Sequence, residues 1–382
     1  MIISKLLFFF SLFMLFYVYL GYPILVFLFS MVRDKRVKKG NCEPRVTILI
    51  AAYNEEDSIE GTLKNKLDLN YPKKKLEIIV ISDASTDRTD EIVQHYENKG
   101  VKLLRQEPRA GKTSALNMAV PETESDILVF SDANSLYAPD TLTKLVQNFS
   151  DPNVGYVTGK MIYTNPDGTT IGDGCTAYMK YENYLRRFET KICSIVGVDG
   201  GVDAVRKSLY QTMNPDQLPD FVLPLKVVAQ GYRVVYEPEA ILKETSLKSP
   251  KDEYRMRVRV SLRALWALSD MRKLFNLKKF KLFTWQLCSH KVSRYLCFVF
   301  LIAVYFTNLA LWSEGSFYKF LLILQNVCYL GAIASLVLEK CGYRLRPLYP
   351  LHYFVLLNLA AAHALLKFLL GQKQVIWTPR KG

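Results

Sequence analysis

The sequence predicts an α/β protein with a mostly parallel sheet, helices on both faces of that sheet, and about four transmembrane helices. Short apolar runs rich in Val and Ile alternate with helical patterns between residues 46 and 150, as expected for βαβ units. Three of these runs end abruptly in acidic and amide side chains. Long stretches almost free of charge lie at both ends of the chain, which indicates a membrane protein.

The first uncharged stretch predicts a retained membrane anchor over residues 1–32. Lys5 is the only ionisable side chain in residues 2–31, which exceed the ~20 apolar residues needed to cross a bilayer. The stretch is longer than the apolar region of a signal peptide, and no small-x-small cleavage site follows it. Five basic residues come next and place that end in the cytoplasm: Arg33, Lys35, Arg36, Lys38 and Lys39.

Three more apolar runs predict membrane helices within residues 291–371. They cover 295–312, 320–338 and 349–366 and contain no acidic or basic residue except two histidines. Basic residues near the ends of these helices place the start of the fourth helix in the cytoplasm, so the fourth helix would end outside. The tail at 372–382 is itself basic, which would instead favour the cytoplasm. Either the tail lies outside, or the last segment is re-entrant. We expect a multi-pass protein of the cell (inner) membrane whose main domain faces the cytoplasm.

The formal net charge of +14 favours a membrane partner over a nucleic-acid partner. In residues 246–290, Lys and Arg are interleaved with Leu, Phe and Trp, which is typical of amphipathic helices on an anionic membrane surface. No nucleic-acid-binding motif accompanies the charge, so we expect membrane lipids and no nucleic acid as partners. The seven cysteines show no CxxC pairing and indicate neither a disulfide framework nor a zinc site.

The soluble domain is expected over residues 40–245. Its strands are predicted at 46–51, 77–82, 101–104, 127–131, 154–158 and 233–236. Its helices are predicted at 56–67, 88–99, 113–119 and 175–192.

Polar side chains follow three of these strands at the point where each strand ends. They are Asn54 and Glu55, Asp83 and Asp87, and Asp132 and Asn134. Open α/β sheets bind ligands beyond the carboxyl ends of their strands, so one polar, acidic pocket is expected there.

Asp132-Ala-Asn134 is the predicted metal site. Alternate residues at a strand end point the same way, and carboxylate and amide oxygens suit Mg²⁺ or Mn²⁺. The alternative is an Asx turn or a helix cap, which explains one of the acidic strand-end residues but not the whole set.

The loop Arg109-Ala-Gly-Lys-Thr113 resembles a P-loop only superficially. The P-loop pattern requires a glycine at position 106, which is Gln106 here, and no G-x-G-x-x-G follows the first strand. The loop is either a solvated basic turn or a place where Arg109 and Lys112 face phosphate. The acidic strand ends nearby favour the second interpretation.

Asp220 precedes an apolar helical stretch and admits two interpretations. It could be an N-cap, worth ~1 kcal/mol, or a general base that takes a proton from an attacking hydroxyl. Judged alone, the cap is the better interpretation.

The ordered series of motifs resembles the membrane-bound family 2 glycosyltransferases with a GT-A fold. That group includes cellulose, hyaluronan and poly-N-acetylglucosamine synthases, and the resemblance covers roughly residues 45–270. The ordered series of motifs indicates this family much more specifically than any single motif in it. The motifs are AAYNEE at 51–56, SDASTD at 82–87, RAGKTSALN at 109–117, SDAN at 131–134, GGVDAVRKSLY at 200–210 and PDFVLPLKVVAQGYRVVYEPEA at 219–240.

The resemblance implies a role for each motif. Ala52, Asn54 and Glu55 would line the nucleotide site, Asp83 would contact uracil or ribose, and Lys112 would lie near the nucleotide-sugar. Asp132 would hold the divalent metal on the diphosphate with help from Asn134, and Asp220 would be the base. The acceptor region would contain Gly200, Gly201, Arg206, Arg263 and Trp266.

Two positions depart from the family pattern. An acidic residue usually precedes the base, whereas this chain has Pro219, so Asp216 stays a weaker alternative to Asp220. The Q-x-x-R-W motif of processive synthases appears as Val260-Ser-Leu-Arg263-Ala-Leu-Trp266. This departure leaves open both processive synthesis and the transfer of a single sugar.

The implied function is inverting sugar transfer from a nucleotide-diphospho-sugar, expected to be a UDP-sugar, to a lipid-linked or growing cell-surface polysaccharide acceptor. The alternative is a catalytically degenerate relative that binds nucleotide or acts as a scaffold among polysaccharide-synthase subunits. Loss of Asp132 or Asp220 would favour that alternative, and both are present. A transporter is disfavoured because no ionisable pair lies within the apolar runs.

Overall fold

The computed structural model describes residues 1–164, 170–245, 249–341, 343 and 345–376. Within these residues, eight strands form one sheet in the order β3-β2-β1-β4-β7-β6-β8-β5. The strands are β1 Val46–Ala52, β2 Leu76–Asp83, β3 Val101–Gln106, β4 Ile127–Asp132, β5 Leu136–Tyr137, β6 Val154–Thr164, β7 Asp203–Arg206 and β8 Arg233–Thr245. Each predicted strand is present, and most extend beyond the predicted bounds.

The sheet has a parallel half and a mixed half. Strands β3, β2, β1 and β4 are all parallel, which confirms the predicted βαβ alternation. β7 then runs antiparallel to both of its neighbours, β6 pairs in parallel with β8, and the short β5 closes the edge in antiparallel orientation. The direction of the sheet therefore changes beside β4, the strand that carries Asp132.

The described helices are α1 Ile2–Phe16, α2 Tyr22–Val32, α3 Ile59–Leu67, α4 Thr89–Gln94, α5 Lys112–Ala119, α6 Thr141–Val146, α7 Thr170–Ile192, α8 Pro219–Ala229, α9 Pro250–Asp270, α10 Leu277–Phe280, α11 Leu282–Gln286, α12 Ser293–Tyr295, α13 Cys297–Ala310, α14 Ser316–Lys340 and α15 Tyr349–Leu369. The predicted helix at 88–99 is shorter than expected, because α4 gives way to a 3₁₀ turn at Glu97–Lys99.

Apolar packing on both faces of the sheet explains why the central strands are continuously hydrophobic. Successive side chains of a strand point to opposite faces. Ile48 and Ile50 of β1 pack in one buried cluster with Leu63 of α3, whereas Leu49 packs in the other cluster with Leu116 of α5. Both faces of β1 are therefore covered by helices, as in other parallel sheets.

The membrane segments agree with the prediction in kind but not fully in number. By length and composition, three described helices could cross a membrane: Ile2–Val32, Ser316–Glu339 and Tyr349–Leu369. A fourth span exists only if Leu282–Tyr295 and Cys297–Ala310, which meet at 58°, count as one. The predicted helix at 295–312 is thus shorter than a span, since α13 has only 14 residues.

The helix Ile2–Val32 contains a π-helical turn at Tyr17–Gly21, and this turn contacts α7. Pro23 has no backbone N–H to give the carbonyl of Tyr19 four residues earlier. The hydroxyl of Tyr181 in α7 donates to that carbonyl at 3.2 Å. The irregular turn therefore connects α7 to the first membrane helix.

Helix α15 packs alongside α9 rather than standing apart from the soluble domain. Tyr254 of α9 hydrogen-bonds His363 at 3.1 Å, and Trp266 contacts the ring of Phe368. One side of α9 is thus buried against α15, while the location of residues 246–290 at the membrane surface stays a prediction. Both ends of α15 contact the domain, since Tyr353 hydrogen-bonds Arg257 near one end and Phe368 contacts Trp266 near the other. The tail residues Arg380 and Lys381 lie outside the described residues.

Candidate functional site

The three polar strand ends meet at one edge of the sheet, as the sequence predicts. Ala52 pairs with Ser82 in the β1–β2 register, and Ala51 lies opposite Asp132. Asn54 adopts a left-handed conformation with a φ of 52°, which asparagine tolerates better than most residues. Its side-chain oxygen accepts the N–H of Thr86 at 2.8 Å. The end of β1 is therefore tied to the loop after β2.

Glu55 and Asp87 have different roles at this edge. Asp87 accepts the backbone N–H of Thr89, the first residue of α4, at 3.0 Å. Glu55 lies beside Ser58, and burial together with the charges of Asp132 and Asp87 raises the pKa of Glu55 to about 7. Glu55 can thus change its charge near neutral pH.

Asp83 organises the basic loop that precedes α5. The fully buried carboxylate accepts the N–H groups of Ala110 at 2.8 Å and of Gly111 at 3.1 Å. Gln106 donates to the same carboxylate at 2.5 Å, and Arg109 Nε lies 3.6 Å from it. The loop that resembled a P-loop is therefore held through its backbone by an acidic side chain.

The end of β4 brings Asp132 against Lys112. The Lys112 ammonium makes an ion pair with the Asp132 carboxylate. Burial opposes the charged form of this lysine, but Asp132 and Asp220 raise its pKa, so Lys112 stays protonated. From α3, the buried Lys66 donates to the carbonyl of Ser135 at 2.7 Å and supports the turn that contains Asn134.

The donor groups at this turn fit a cation that is shared with a diphosphate. Among the described residues, no cluster of three or more His, Cys, Asp or Glu could enclose a metal on its own. Mg²⁺ usually keeps several waters and takes one or two carboxylates plus substrate phosphates. Asp132 and Asn134, at and just after the end of β4, match that requirement.

Two glycines bring the loop before β7 against the catalytic edge. Gly200 has a φ of +84°, and its N–H donates to the buried Asp203 at 2.8 Å. A Cβ on Gly200 would lie 2.9 Å from Asp220 Cγ, so only glycine permits this approach. The carbonyl of Gly201 accepts the hydroxyl of Tyr137 at 2.7 Å.

Asp220 is the second residue of α8, and the N-cap of that helix is Leu218. The capping interpretation, favoured for Asp220 in isolation, is therefore wrong. Asp220 Oδ1 is buried and has no hydrogen-bond partner among the described residues. Burial raises the pKa of Asp220, the charge of Lys112 opposes that effect, and the charge of Asp132 adds to it. These are properties of a general base.

Arg263 positions the segment that carries Asp220. Its guanidinium donates to Thr113 Oγ1 at 2.8 Å, to the carbonyl of Pro215 at 3.1 Å, and to the carbonyl of Gln217. Burial lowers the pKa of Arg263 to about 10, although the charge of Asp220 opposes this shift. Arg263 thus fastens the start of α5 to the loop before α8.

The structure does not bring Arg206 or Trp266 to this cluster. Arg206 pairs with Ile127 at the opposite end of β4, and its guanidinium donates to the carbonyls of Phe149 and Val154. A role for Arg206 in the acceptor region is inconsistent with that position. Trp266 donates to the carbonyl of Gln372 at 2.9 Å and therefore holds the chain after α15.

Several residues near the site were missed by sequence reasoning. Asp203 follows the glycine pair at a spacing that could have drawn attention, and burial raises its pKa to about 7. The chain after α15 also reaches the site: Lys373 pairs with Asp216 at 2.6 Å, and a Cβ on Gly111 would lie 2.9 Å from the carbonyl of Val375. No local pattern in the sequence indicates this contact.

Residues 47–212 match the model of the family described as Glycosyl transferase family 2. The chain carries a family 2 glycosyltransferase domain. This domain includes the first three strand ends, Lys112 and the glycine pair, whereas Asp220 and Arg263 lie after the last matched residue. The resemblance seen in the motif series is thereby confirmed.

Two curated relatives support the family 2 assignment. Poly-beta-1,6-N-acetyl-D-glucosamine synthase of Staphylococcus aureus is 31% identical over 202 residues, which are 51% of this chain and 48% of that protein. The probable glycosyltransferase YdaM of Bacillus subtilis is 31% identical over 259 residues, 62% of this chain and 59% of that protein. The chain thus spans about half to three fifths of the length of these relatives.

One solved structure shares the fold of the glycosyltransferase domain and its membrane helices. Mannosyltransferase PcManGT from Pyrobaculum calidifontis, in complex with GDP-Man and Mn²⁺, gives a TM-score of 0.70 at 23% identity. The superposition covers 94% of this chain and 97% of that chain. The predicted GT-A fold is therefore confirmed.

Proposed function

We propose that this protein is an inverting glycosyltransferase that uses a nucleotide-diphospho-sugar, with UDP as the expected nucleotide. The acceptor is lipid-linked or is a growing cell-surface polysaccharide, and the reaction takes place at the cytoplasmic face of the inner membrane. The observation that carries the proposal is the grouping of Lys112, Asp132 and Asp220 at one edge of the sheet. The group combines a cation for a diphosphate, a carboxylate for a metal, and a base.

In this proposal the strand ends bind the donor. Ala52, Asn54 and Glu55 line the nucleoside site, and Asp83 contacts the base or ribose while it holds the loop before α5. Asp132, with Asn134, would hold Mg²⁺ or Mn²⁺, which neutralises charge on the departing diphosphate. Lys112 adds a fixed positive charge beside the same phosphates.

Asp220 takes the proton from the acceptor hydroxyl as its oxygen attacks the anomeric carbon. Its raised pKa makes it a stronger base than an exposed carboxylate. Gly200 lets the loop before β7 pack directly against this carboxylate, and Arg263 keeps the Asp220 segment in place. Attack opposite the leaving group inverts the anomeric centre in one step.

The degenerate-scaffold alternative explains this geometry poorly. A scaffold has no need for a buried carboxylate whose Oδ1 lacks a partner, since such an atom costs roughly 1–3 kcal/mol of folding free energy. In a chain under no catalytic constraint, replacement of this carboxylate would remove that cost and would be expected.

The test measures nucleoside diphosphate release by the full-length protein in nanodiscs, with a panel of nucleotide sugars, Mg²⁺ or Mn²⁺, and a membrane lipid extract as acceptor. Asp132→Ala should abolish metal-dependent release. Asp220→Asn should lower transfer roughly 10²–10⁴-fold while donor affinity is retained. Asp216→Asn is the matched control, because Asp216 is the alternative base and pairs with Lys373. Full turnover by Asp220→Asn would remove Asp220 as the base.

A further inference from the structure

A cavity of about 350 Å³ extends from Asp220 toward the membrane helices. Its volume is within the ~300–1,000 Å³ usual for small-molecule sites. Near the base it is lined by Leu218, Phe221 and Val260. Its other walls come from α7, α9 and α15 and from the π-helical turn of the anchor. The cavity therefore joins the proposed base to the membrane-facing part of the fold.

The end of the cavity away from Asp220 is formed by apolar residues of candidate membrane helices. Tyr19 comes from Ile2–Val32, and Phe354, Leu357 and Ala361 come from Tyr349–Leu369. A water-soluble glycan would gain little from contact with these side chains. An alkyl chain would be stabilised there by about 0.8 kcal/mol for each buried methylene group.

A band of charged side chains also lines the cavity, and several of these side chains form ion pairs. Arg186 binds Asp199 at 2.6 Å, and both are almost fully buried. Arg257 binds Glu253 at 2.8 Å. Each of these two guanidinium groups therefore has a carboxylate partner within the protein.

The third set in the band has two cations and one carboxylate, so the band carries one more positive than negative charge. Arg294 pairs with Glu182, and Lys291 lies 3.6 Å from the same carboxylate. Paired carboxylates and guanidinium groups offer both acceptors and donors, which suits hydroxyl groups. The rings of Tyr178 and Tyr295 in the lining add amphipathic surface suited to the faces of a sugar.

We propose that this cavity is the acceptor site and that the acceptor is a membrane-anchored amphiphile with a hydroxylated head group, as in a glycolipid. The head group lies in the charged band with one hydroxyl at Asp220, and the alkyl chain lies against α15 and Tyr19. This inference rests on the proposed function, which leaves the choice between lipid-linked and polymeric acceptors open.

The reaction balances with these groups. The hydroxyl oxygen of the head group forms a bond to the anomeric carbon of the donor. The bond between that carbon and the diphosphate oxygen breaks, and its electron pair leaves with the nucleoside diphosphate. The hydroxyl proton passes to Asp220. No oxidant, reductant or further reactant is required.

The first experiment maps binding without depending on catalysis. Full-length protein in phosphatidylcholine nanodiscs is photolabelled with a dodecyl glucoside that carries a diazirine in its alkyl chain, and labelled peptides are identified by mass spectrometry. Label that excess dodecyl glucoside competes away is expected on α15 and on the Tyr17–Gly21 turn. Leu357→Trp and Ala361→Phe fill the apolar end and should suppress it at least tenfold. Leu359→Trp, at a membrane-exposed position of α15, should not.

The second experiment measures transfer to a panel of alkyl glycosides of increasing chain length. The KM should fall by up to about fourfold for each added methylene until the apolar end is filled. Leu357→Trp should raise KM for the long-chain acceptors more than for the short-chain ones, whereas Leu359→Trp should leave both KM values and the slow hydrolysis of the donor unchanged. Asp220→Asn should bind the photolabel normally but fail to transfer.

The outcomes separate the two proposals. If label is not competed, or is equal in Leu357→Trp and Leu359→Trp, the cavity is not the site of the amphiphile and the inference is overturned. Transfer to soluble oligosaccharides with no dependence on an alkyl chain overturns it as well. If competed labelling of the cavity is found but no nucleotide sugar is consumed under any condition, the proposed transfer reaction fails while the binding site is supported.

Discussion

The donor edge and the acceptor cavity are built in opposite ways. At the donor edge, short-range contacts between consecutive βα units hold the polar groups, and the carboxylate of Asp83 is satisfied by backbone N–H groups of a single loop. In the acceptor cavity, charged side chains from elements far apart in the chain pair with each other, and Asp220 Oδ1 has no described partner. The proposed donor edge thus has its buried carboxylate satisfied within one loop, whereas the proposed acceptor cavity contains a carboxylate oxygen without a described partner.

This difference indicates which amino-acid substitutions each region should tolerate. A donor site held by backbone contacts depends on loop conformation more than on any single side chain. A cavity made of side chains depends on close packing at a few points. Gly200, Asp203 and Arg206 probe that contrast, because they lie along one strand and the loop before it but have different environments.

The largest effect is expected for Gly200→Ala. The new Cβ would clash with the Asp220 carboxylate, and the positive φ would add about 1–2 kcal/mol of strain. Displacement of the base by about 1 Å should lower transfer roughly 100-fold. Gly231→Ala is the matched control, because Gly231 has a similar φ of +93° and nothing within 4 Å of its Cβ position. Equal activity losses in both variants would mean that strain, rather than the clash with Asp220, is responsible.

An intermediate effect is expected for Asp203→Asn in the pH dependence of stability. The folded-state pKa of Asp203 is about 7, above the ~3.9 of an unfolded aspartate, so the folded protein holds a proton that the unfolded chain has lost. Stability should therefore fall as pH rises from about 4 to 7. Asparagine removes this titration and should raise the free energy of unfolding at pH 8 by at most a few kcal/mol. Thermal unfolding across that range measures it; an unchanged slope would contradict the raised pKa.

The same pH series also tests how the transfer rate depends on pH. Because the pKa of Asp220 is raised, the fraction of ionised base, and with it the transfer rate, should increase as pH rises through that pKa. Asp203→Asn should shift this profile to lower pH, since the charge of Asp203 is among the groups next to Asp220.

The smallest effect on transfer is expected for Arg206→Met. Its guanidinium donates to three backbone carbonyls at the far end of the sheet, so its loss should cost about 1–3 kcal/mol of stability. The transfer rate per folded molecule should be unchanged. Arg255→Met removes an exposed arginine and serves as the control for stability. A large fall in kcat with intact folding would instead support a role for Arg206 in the acceptor region.

The donor edge could be predicted from sequence because its determinants are local. Each strand run and the polar residues after it are consecutive, so the convergence of Asn54, Asp83 and Asp132 follows from parallel pairing alone. The position of Arg206 could not be predicted, since it depends on the antiparallel direction of β7, which no residue pattern indicates. The acceptor cavity could not be predicted because α7, α9 and α15 meet only in the folded chain.

The contact between Tyr181 and the carbonyl of Tyr19 has a consequence for biogenesis. The anchor is synthesised and inserted first, whereas its hydrogen-bond donor lies 162 residues later in the chain. At ~5–20 residues per second, translation leaves that carbonyl without Tyr181 for roughly 8–30 seconds. The part of the proposed acceptor cavity that belongs to the anchor helix is therefore synthesised before α7, and the contact with Tyr181 forms only once α7 has been made.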